Sequence, residues 1–198
     1  MNDRRFSPSQ AHKLDARERK TWLPIDEVLS VLELHPGWSV ADIGAGTGYF
    51  ALPIAEAVGA DGKVFAVDAE PEMLSHVQAK LASSSLRNVD CKVGEASATG
   101  LFAGSCDLAL LANLWHELED IPAVIAEMRR ILKGQGRVAI LDKPPDLQQP
   151  PGPPIEHRLT KESVANALTA TGFHVRSILE IGPFSYVVVA DLADSGGS

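Results

Sequence analysis

The sequence predicts an α/β fold: a mostly parallel sheet with helices on both faces, ending in an antiparallel hairpin. Two observations carry this. From Val40 onward, short apolar runs alternate with segments of helical period, which is the pattern of strand-helix-strand units. Near the C-terminus, HVRSILEI (His174 to Ile181) and FSYVVVAD (Phe184 to Asp191) are apolar runs joined only by Gly182-Pro183, the spacing of a tight turn.

The elements follow in order. Residues up to Leu34 read as two helices, broken at Trp22-Leu23-Pro24. Val40 to Ile43 is a strand, Tyr49 to Val58 a helix, and Val64 to Val67 a strand. A helix from Glu72 to Leu81 is opened by Pro71, at a position where no amide donor is needed. Strands Val89 to Val93 and Leu108 to Leu111, helix Ile121 to Leu132 and strand Arg137 to Leu141 continue the pattern. KPPDLQQPPGPP, Lys143 to Pro154, cannot be helix or interior strand and is expected to be stiff and extended. A helix from Thr160 or Lys161 to Thr171 is stopped by Gly172, and the hairpin follows. There is no internal repeat, and Ser195 to Ser198 is expected to fray.

Length and composition bound the function. At 198 residues with 45% apolar and 22% charged content, the chain is expected to be one domain. Its apolar runs are interrupted well before the roughly 18 residues of a membrane span. The opening MNDRRFSPSQ has no apolar signal core, so no membrane span and a cytoplasmic location are expected. A formal net charge of -8 argues against a nucleic-acid partner. The basic residues Arg4, Arg5 and His12 to Lys20 are interleaved with acids, as on a solvated helix face. Cys91 and Cys106 make neither a disulfide framework nor a zinc spacing, and they read as small buried hydrophobes, so no metal is expected.

The informative stretch is VADIGAGTGYF, Val40 to Phe50. An apolar strand ends in an acid, and Gly44, Gly46 and Gly48 follow at alternate positions. In an open parallel sheet, ligands bind at the carboxyl ends of the strands. Glycines there let the backbone approach a ligand with no Cβ between them. A dinucleotide turn wants G-x-G-x-x-G, but here Tyr49 stands where its last glycine belongs. An adenosyl sulfonium cofactor, whose amino-acid tail and ribose lie across such a turn, is the other ligand class.

VADIGAGTG resembles the first motif of the class I S-adenosylmethionine-dependent methyltransferases, and the likeness continues in order. VFAVDAEPEML resembles the acidic end of that family's second strand, and VGEASATGL the loop that borders the adenine. LLANLWHEL resembles the segment after the fourth strand. LKGQGRVAILD resembles the turn into the fifth, with Gly134 and Gln135 in place of Pro and Gly. These matches span roughly Trp38 to Asp142. The closest resemblance is to methyltransferase-domain proteins of the ubiquinone and menaquinone biosynthesis group. RRFSPSQAHKLD, WLP and PPGPPIEHRLT are similar to a bacterial branch of it.

The resemblance implies a Rossmann-like seven-stranded sheet and S-adenosyl-L-methionine as cofactor. It divides a single domain, 1–198, into an N-terminal helical cap (1–36), a cofactor-binding core (37–142), a proline-rich substrate-side loop (143–159) and a C-terminal helix and hairpin (160–194). Asp42 and Gly44 would border the methionine moiety, and Gly46 and Gly48 would allow close backbone approach. Asp68 would accept from the ribose hydroxyls, and Glu95 would border the adenine. Ala45, Ala69, Met73, Gly94, Ala96, Asn113 and Leu114 complete the implied cofactor set. Asp42 also has a physical reason: an acid beside a helix N-terminus can accept from the cofactor's ammonium, the competing reading being a cap.

The catalytic candidates are His116, Glu117, Lys143 and His157. His116 can take a proton near neutral pH, and its competing role is a backbone hydrogen bond at a helix start. Lys143, His157 and Arg158 read as substrate contacts or as a salt-bridged lid, and His12, Lys13 and Trp22 as residues closing the pocket from the N-terminal side. The expected function is in-line methyl transfer to a small-molecule acceptor by a monomer or homodimer. The alternatives are a protein that holds the cofactor without transferring its methyl group, or an NAD-dependent oxidoreductase. Arsenite chemistry would need a cysteine set that is missing here, and a metal-dependent catechol site would need a paired Asp and Asn.

Overall fold

The computed structural model describes residues 6–146 and 152–193. Arg4, Arg5, the expected fray of Ser195 to Ser198 and the 147–151 part of the proline-rich loop lie outside the described residues.

Seven strands form one sheet: β1 (Ser39–Ile43), β2 (Lys63–Asp68), β3 (Val89–Val93), β4 (Cys106–Ala112), β5 (Leu132–Asp142), β6 (Phe173–Ile181) and β7 (Ser185–Leu192). Their order is β3-β2-β1-β4-β5-β7-β6. The pairs from β3 through β5 are parallel, and β7 runs antiparallel to both β5 and β6, so the expected hairpin closes the sheet.

Alternation along the strands explains why both faces are covered. In β1, Val40 packs toward one layer and Ala41 toward the other; in β4, Leu108 and Leu110 oppose Ala109 and Leu111. One layer holds the helices α2 (Ile25–Leu32), α3 (Ala51–Val58) and α4 (Pro71–Ala82), through Val28, Leu32, Ile54, Val58, Leu74 and Val77. The other holds α5 (Ile121–Ile131) and α6 (Lys161–Thr169), through Ile125, Met128, Val164 and Leu168. Both of these last helices are side-chain capped: Asp120 accepts from the Ala123 amide and Thr160 from the Ser163 amide.

Several boundaries differ from expectation. The helix placed at Tyr49 starts at Ala51, because the glycine turn continues through Gly48 at φ +82 and Tyr49 instead donates its hydroxyl to the Leu23 carbonyl. The fifth strand starts at Leu132 rather than Arg137; its register on β4 shifts between Cys106 and Leu108, accommodating the glycines of LKGQG. The last helix ends at Thr169, not Thr171, and Gly172 follows at φ +84. The two N-terminal helices are three short pieces: a 3₁₀ turn Pro8–Lys13, α1 (Arg19–Trp22) and α2. Pieces this short are held by tertiary contacts rather than by propensity. Asp15 pairs with Lys80 at 2.7 Å and accepts from the Thr47 hydroxyl at 2.8 Å.

Among the described residues no helix is long and apolar enough to cross a membrane. The carboxyl ends of β1, β2, β4 and β5 share one edge of the sheet, and chain order switches between β1 and β4, where such folds open a crevice.

Candidate active site

A cavity of about 860 Å³ occupies that crevice. Its first wall is the glycine turn after β1. Gly44 and Ala45 donate their amides to the Val67 carbonyl at 2.8 and 3.0 Å, which draws the turn against the end of β2. A side chain on Gly46, at φ +54, would reach within 3.1 Å of Leu14; one on Gly44 would reach within 2.9 Å of Leu114. Both glycines therefore let the cavity-lining side chains of Leu14, from the N-terminal cap, and Leu114, after β4, come close to the turn.

Two carboxylates flank this turn. Asp68 accepts from the Gly46 amide at 2.8 Å and from the Glu70 amide at 2.9 Å, so its orientation is set by backbone. Burial raises its pKa. Asp42 is 2% exposed and its Oδ2 has no hydrogen-bond partner among the described residues. Burial, and then the nearby Asp68 charge, push its pKa up to about 7 against the pull of the Ala51 amide and Arg19. An orphaned buried carboxylate oxygen on a ligand-sized cavity is what a bound ammonium would satisfy.

The second wall follows β4. Asn113, at φ +54, donates its amide to the Leu141 carbonyl, while its buried side-chain Oδ1 has no partner among the described residues. Three residues on, His116 turns its ring toward Asp142 at the end of β5, with Nδ1 2.9 and 3.0 Å from the two carboxylate oxygens. Asp142 also accepts from the backbone amides of His116 at 3.1 Å and Lys143 at 2.8 Å. With the carboxylate accepting, Nδ1 is the donor, and in the neutral ring Nε2 then keeps its lone pair. Glu117 Oε1 lies 3.7 Å from Nε2, beyond hydrogen-bond reach. Burial pushes Glu117 up to about 7, although His116 and the Phe6 amide, 3.3 Å from its Oε2, pull the other way.

The N-terminal cap and, from the proline-rich loop, Lys143, Gly152, Pro153, Pro154 and His157 line the outer side. Lys143 is buried with its Nζ 4.4 Å over the Trp22 ring; burial, then Arg158 and Arg19, lower its pKa to about 8. Arg158 donates to the Pro153 carbonyl at 3.0 Å and so braces the loop. Arg19 is buried against the Tyr49 ring and lines the same cavity as Asp42.

Most of the expected residues meet here. Asp42, Gly44, Ala45, Gly46, Asp68, Ala69, Met73, Gly94, Glu95, Ala96, Asn113, Leu114, His116, Glu117, Lys143 and His157 all line the cavity, as do Lys13 and Trp22. Three do not. Gly48 is turned away: a Cβ there would meet Leu52 at 2.8 Å and Val77 at 3.2 Å, so this glycine lets α3 and α4 approach. His12 is exposed and off the cavity, and Arg158 acts on the loop rather than on the space inside it. Sequence reasoning missed Asp142 and Arg19. Asp142 could be noticed as the acid ending VAILD, but nothing local pairs it with a histidine 26 residues earlier. Neither Cys91 nor Cys106 lines the cavity.

An open α/β sheet with a glycine turn and an acid at the end of the next strand defines a nucleotide-type cofactor fold. The sequence pattern of the methyltransferase-domain family matches residues 40–136. A S-adenosylmethionine-dependent methyltransferase structure from Aquifex aeolicus superposes with a TM-score of 0.90 at 28% identity, covering 96% of this chain and all of that one. The nocamycin O-methyltransferase of Saccharothrix syringae is 28% identical over 86% of this chain and 62% of its own length. A demethylmenaquinone methyltransferase of Lactococcus lactis is 32% identical over 54% of this chain and 42% of its own. An arsenite methyltransferase of Halobacterium salinarum is 31% identical over 60% and 32%. The chain thus spans between about a third and three fifths of the length of these curated relatives. Over residues 40–136 it is similar to the methyltransferase domain, and its seven-stranded Rossmann-like sheet is that of the S-adenosylmethionine-dependent neighbour.

Proposed function

We propose that this protein transfers a methyl group from S-adenosylmethionine to a hydroxyl of a small-molecule acceptor. The observation that carries the reading is that one cavity joins the glycine turn, with the orphaned Asp42 oxygen beside it, to a histidine whose Nδ1 is held by Asp142. S-adenosylmethionine supplies, when bound, a methyl group already activated by a sulfonium, so no residue has to create the electrophile.

The residues' work is to bind, align and manage one proton. Asp42 would hold the ammonium and Asp68 the ribose hydroxyls, while Gly44 and Gly46 leave room for the backbone to approach. Glu95, Ala96 and Met73 line the adenine side. Alignment of this kind can account for about 7–11 kcal/mol of a barrier. His116 Nε2 takes the acceptor's proton, a step worth roughly 10² to 10⁴ in rate, and the Asp142 carboxylate compensates the imidazolium that forms. Glu117, Lys143 and His157 would contact the acceptor beneath the Trp22 and proline-loop roof.

The names of the nocamycin and demethylmenaquinone relatives support a small organic acceptor, and a hydroxylated aromatic or quinol ring is the class we favour. A cytoplasmic location and a monomer or homodimer fit this reading. Cysteines placed off the cavity do not suit thiolate capture of arsenite.

The test begins with calorimetry of the protein against S-adenosylmethionine, S-adenosylhomocysteine and NAD. Transfer of labelled methyl to a panel of phenols and hydroquinones, by wild type and by His116→Gln, follows. Micromolar binding of the two adenosyl sulfur compounds with histidine-dependent label transfer is expected. Binding of NAD alone would return the oxidoreductase reading. Tight cofactor binding with no transfer across the panel would favour a binding protein.

A further inference from the structure

β6 and β3 are the outer strands of the sheet, and only β6 is guarded against a further strand. Its register shifts between Val175 and Ser177, and Arg176, at that shift, pairs with Glu33 at 2.9 Å and with Asp191 at 3.7 Å. Irregularities and charges of this kind keep an edge from pairing with another chain. β3 pairs with β2 along its whole length without a shift, and among the described residues no strand covers its other side. Val93 on this strand is 57% exposed, and Phe102 is 86% exposed. A second cavity of about 500 Å³ joins Phe102 to Val89 and Cys91 of the strand, with Phe65, Leu81 and Leu101, so the edge offers apolar surface as well as hydrogen bonds.

The bonds to β2 fix which backbone groups face outward. The Asn88 carbonyl accepts from the Val64 amide at 2.8 Å, and the Gly94 amide donates to the Asp68 carbonyl at 3.0 Å. In a parallel ladder the bonds to one neighbour come from every second residue. The backbone of Asp90 and Lys92 is therefore turned to β2, and the amides and carbonyls of Val89, Cys91 and Val93 point away from the sheet.

A lysine on an edge ordinarily discourages pairing. In Val89-Asp90-Cys91-Lys92-Val93 it is balanced by an acid at the mirror position about Cys91. When a second copy of the strand lies antiparallel with Cys91 against Cys91, Asp90 of each copy faces Lys92 of the other, and Val89 faces Val93. The outward amides and carbonyls then meet as hydrogen-bonded pairs. Registers centred on Asp90 or on Lys92 would instead set like charges opposite each other, so the charges select one register. Asp90 is held by Lys63 at 2.7 Å and Lys92 by the Gly100 carbonyl, which keeps both side chains at the edge; that of Asp90 is still 57% exposed.

We propose that β3 is the contact between two copies of this chain, paired antiparallel about Cys91 into one continuous sheet. The relation is a two-fold, so every contact occurs twice. Because the partner's strands run the other way, the two large cavities open on opposite sides of the joined sheet. A five-residue edge buries little area, so the dimer is weak and depends on concentration.

The test is sedimentation equilibrium of the full chain across the micromolar range. The mass of wild type should rise with concentration toward twice that of the chain. Lys92→Glu and Asp90→Lys each set like charges opposite at both symmetry-related positions, and each alone should weaken self-association roughly tenfold or more. Mixed in equal amounts, the two variants should associate again, because the acidic edge of one then faces the basic edge of the other. Circular dichroism and melting of each variant should match wild type, which separates lost pairing from lost folding. Wild type that stays monomeric at every concentration would overturn the proposal and leave the edge to some other chain. A dimer that survives both substitutions would place the contact elsewhere, and folded variants that fail to associate on mixing would refute the register.

Discussion

The two halves of the cavity are built differently. On the half that would hold the cofactor, at the ends of β1 and β2, backbone sets the geometry: amides of Gly44, Ala45, Gly46 and Glu70 bond a strand end or the Asp68 carboxylate, within about 25 residues of chain. On the half that would take the acceptor, at the ends of β4 and β5, side chains reach partners distant in sequence. His116 meets Asp142 across 26 residues, and Glu117 meets the Phe6 amide across 111. A site made of backbone needs short residues at fixed spacing, and a site made of side chains needs only that the fold deliver them.

Breaking the acceptor half should have the largest effect. His116→Gln is expected to lower turnover about 10²- to 10⁴-fold while S-adenosylhomocysteine affinity, by calorimetry, stays within about threefold. Comparable losses in both measurements would mean that the two halves are not separable.

Next comes the brace beneath the loop that borders Glu95. Glu127 accepts from the Thr99 amide and hydroxyl and from Arg130. Arg130, then the Thr99 bonds, hold its pKa down at about 2. Because that pKa is depressed, its contribution is present above the ordinary value of 4.5 and is lost as pH falls toward 2. Glu127→Ala should cost about 3 kcal/mol in urea unfolding at neutral pH, since Thr99 is left buried without its acceptor. The difference from wild type should shrink below pH 4.

On the cofactor half, Asp68→Ala should weaken S-adenosylhomocysteine roughly ten- to a hundredfold, because the carboxylate that would take the ribose also holds the Gly46 amide. A smaller effect is expected from pH. With Asp42 at about 7, the ionised form that would hold an ammonium is the minor one at pH 6 and the major one at pH 8. Affinity should therefore rise about tenfold between those values, and Asp42→Asn should remove most of that rise. Affinity that falls over this window would reverse the assigned role.

The smallest effect sharpens the boundary between site and scaffold. Gly48→Ala, at φ +82 and against Leu52, should destabilise by about 1 kcal/mol and leave cofactor affinity unchanged in the folded protein. Lost affinity at full stability would put Gly48 back in the binding slot.

Much of the fold could be read from the sequence, because strands buried on both faces are near-continuous apolar runs and helices between them keep their own period. β3 was placed at both ends as found, Val89–Val93, and α4 began at the expected Pro71. The cap was read less well, since Pro8–Lys13 and Arg19–Trp22 are too short to show a period.

The sequence by itself determined the parallel sheet, the terminal hairpin and the positions of the glycine turn and Asp68, since each depends on residues adjacent in the chain. Only the tertiary structure decided that Asp142 faces His116, that Arg19 lines the same cavity as Asp42, and that Gly48 serves helix packing. Those relations are set by which strand ends and helices become neighbours, and chain spacing carries no record of that.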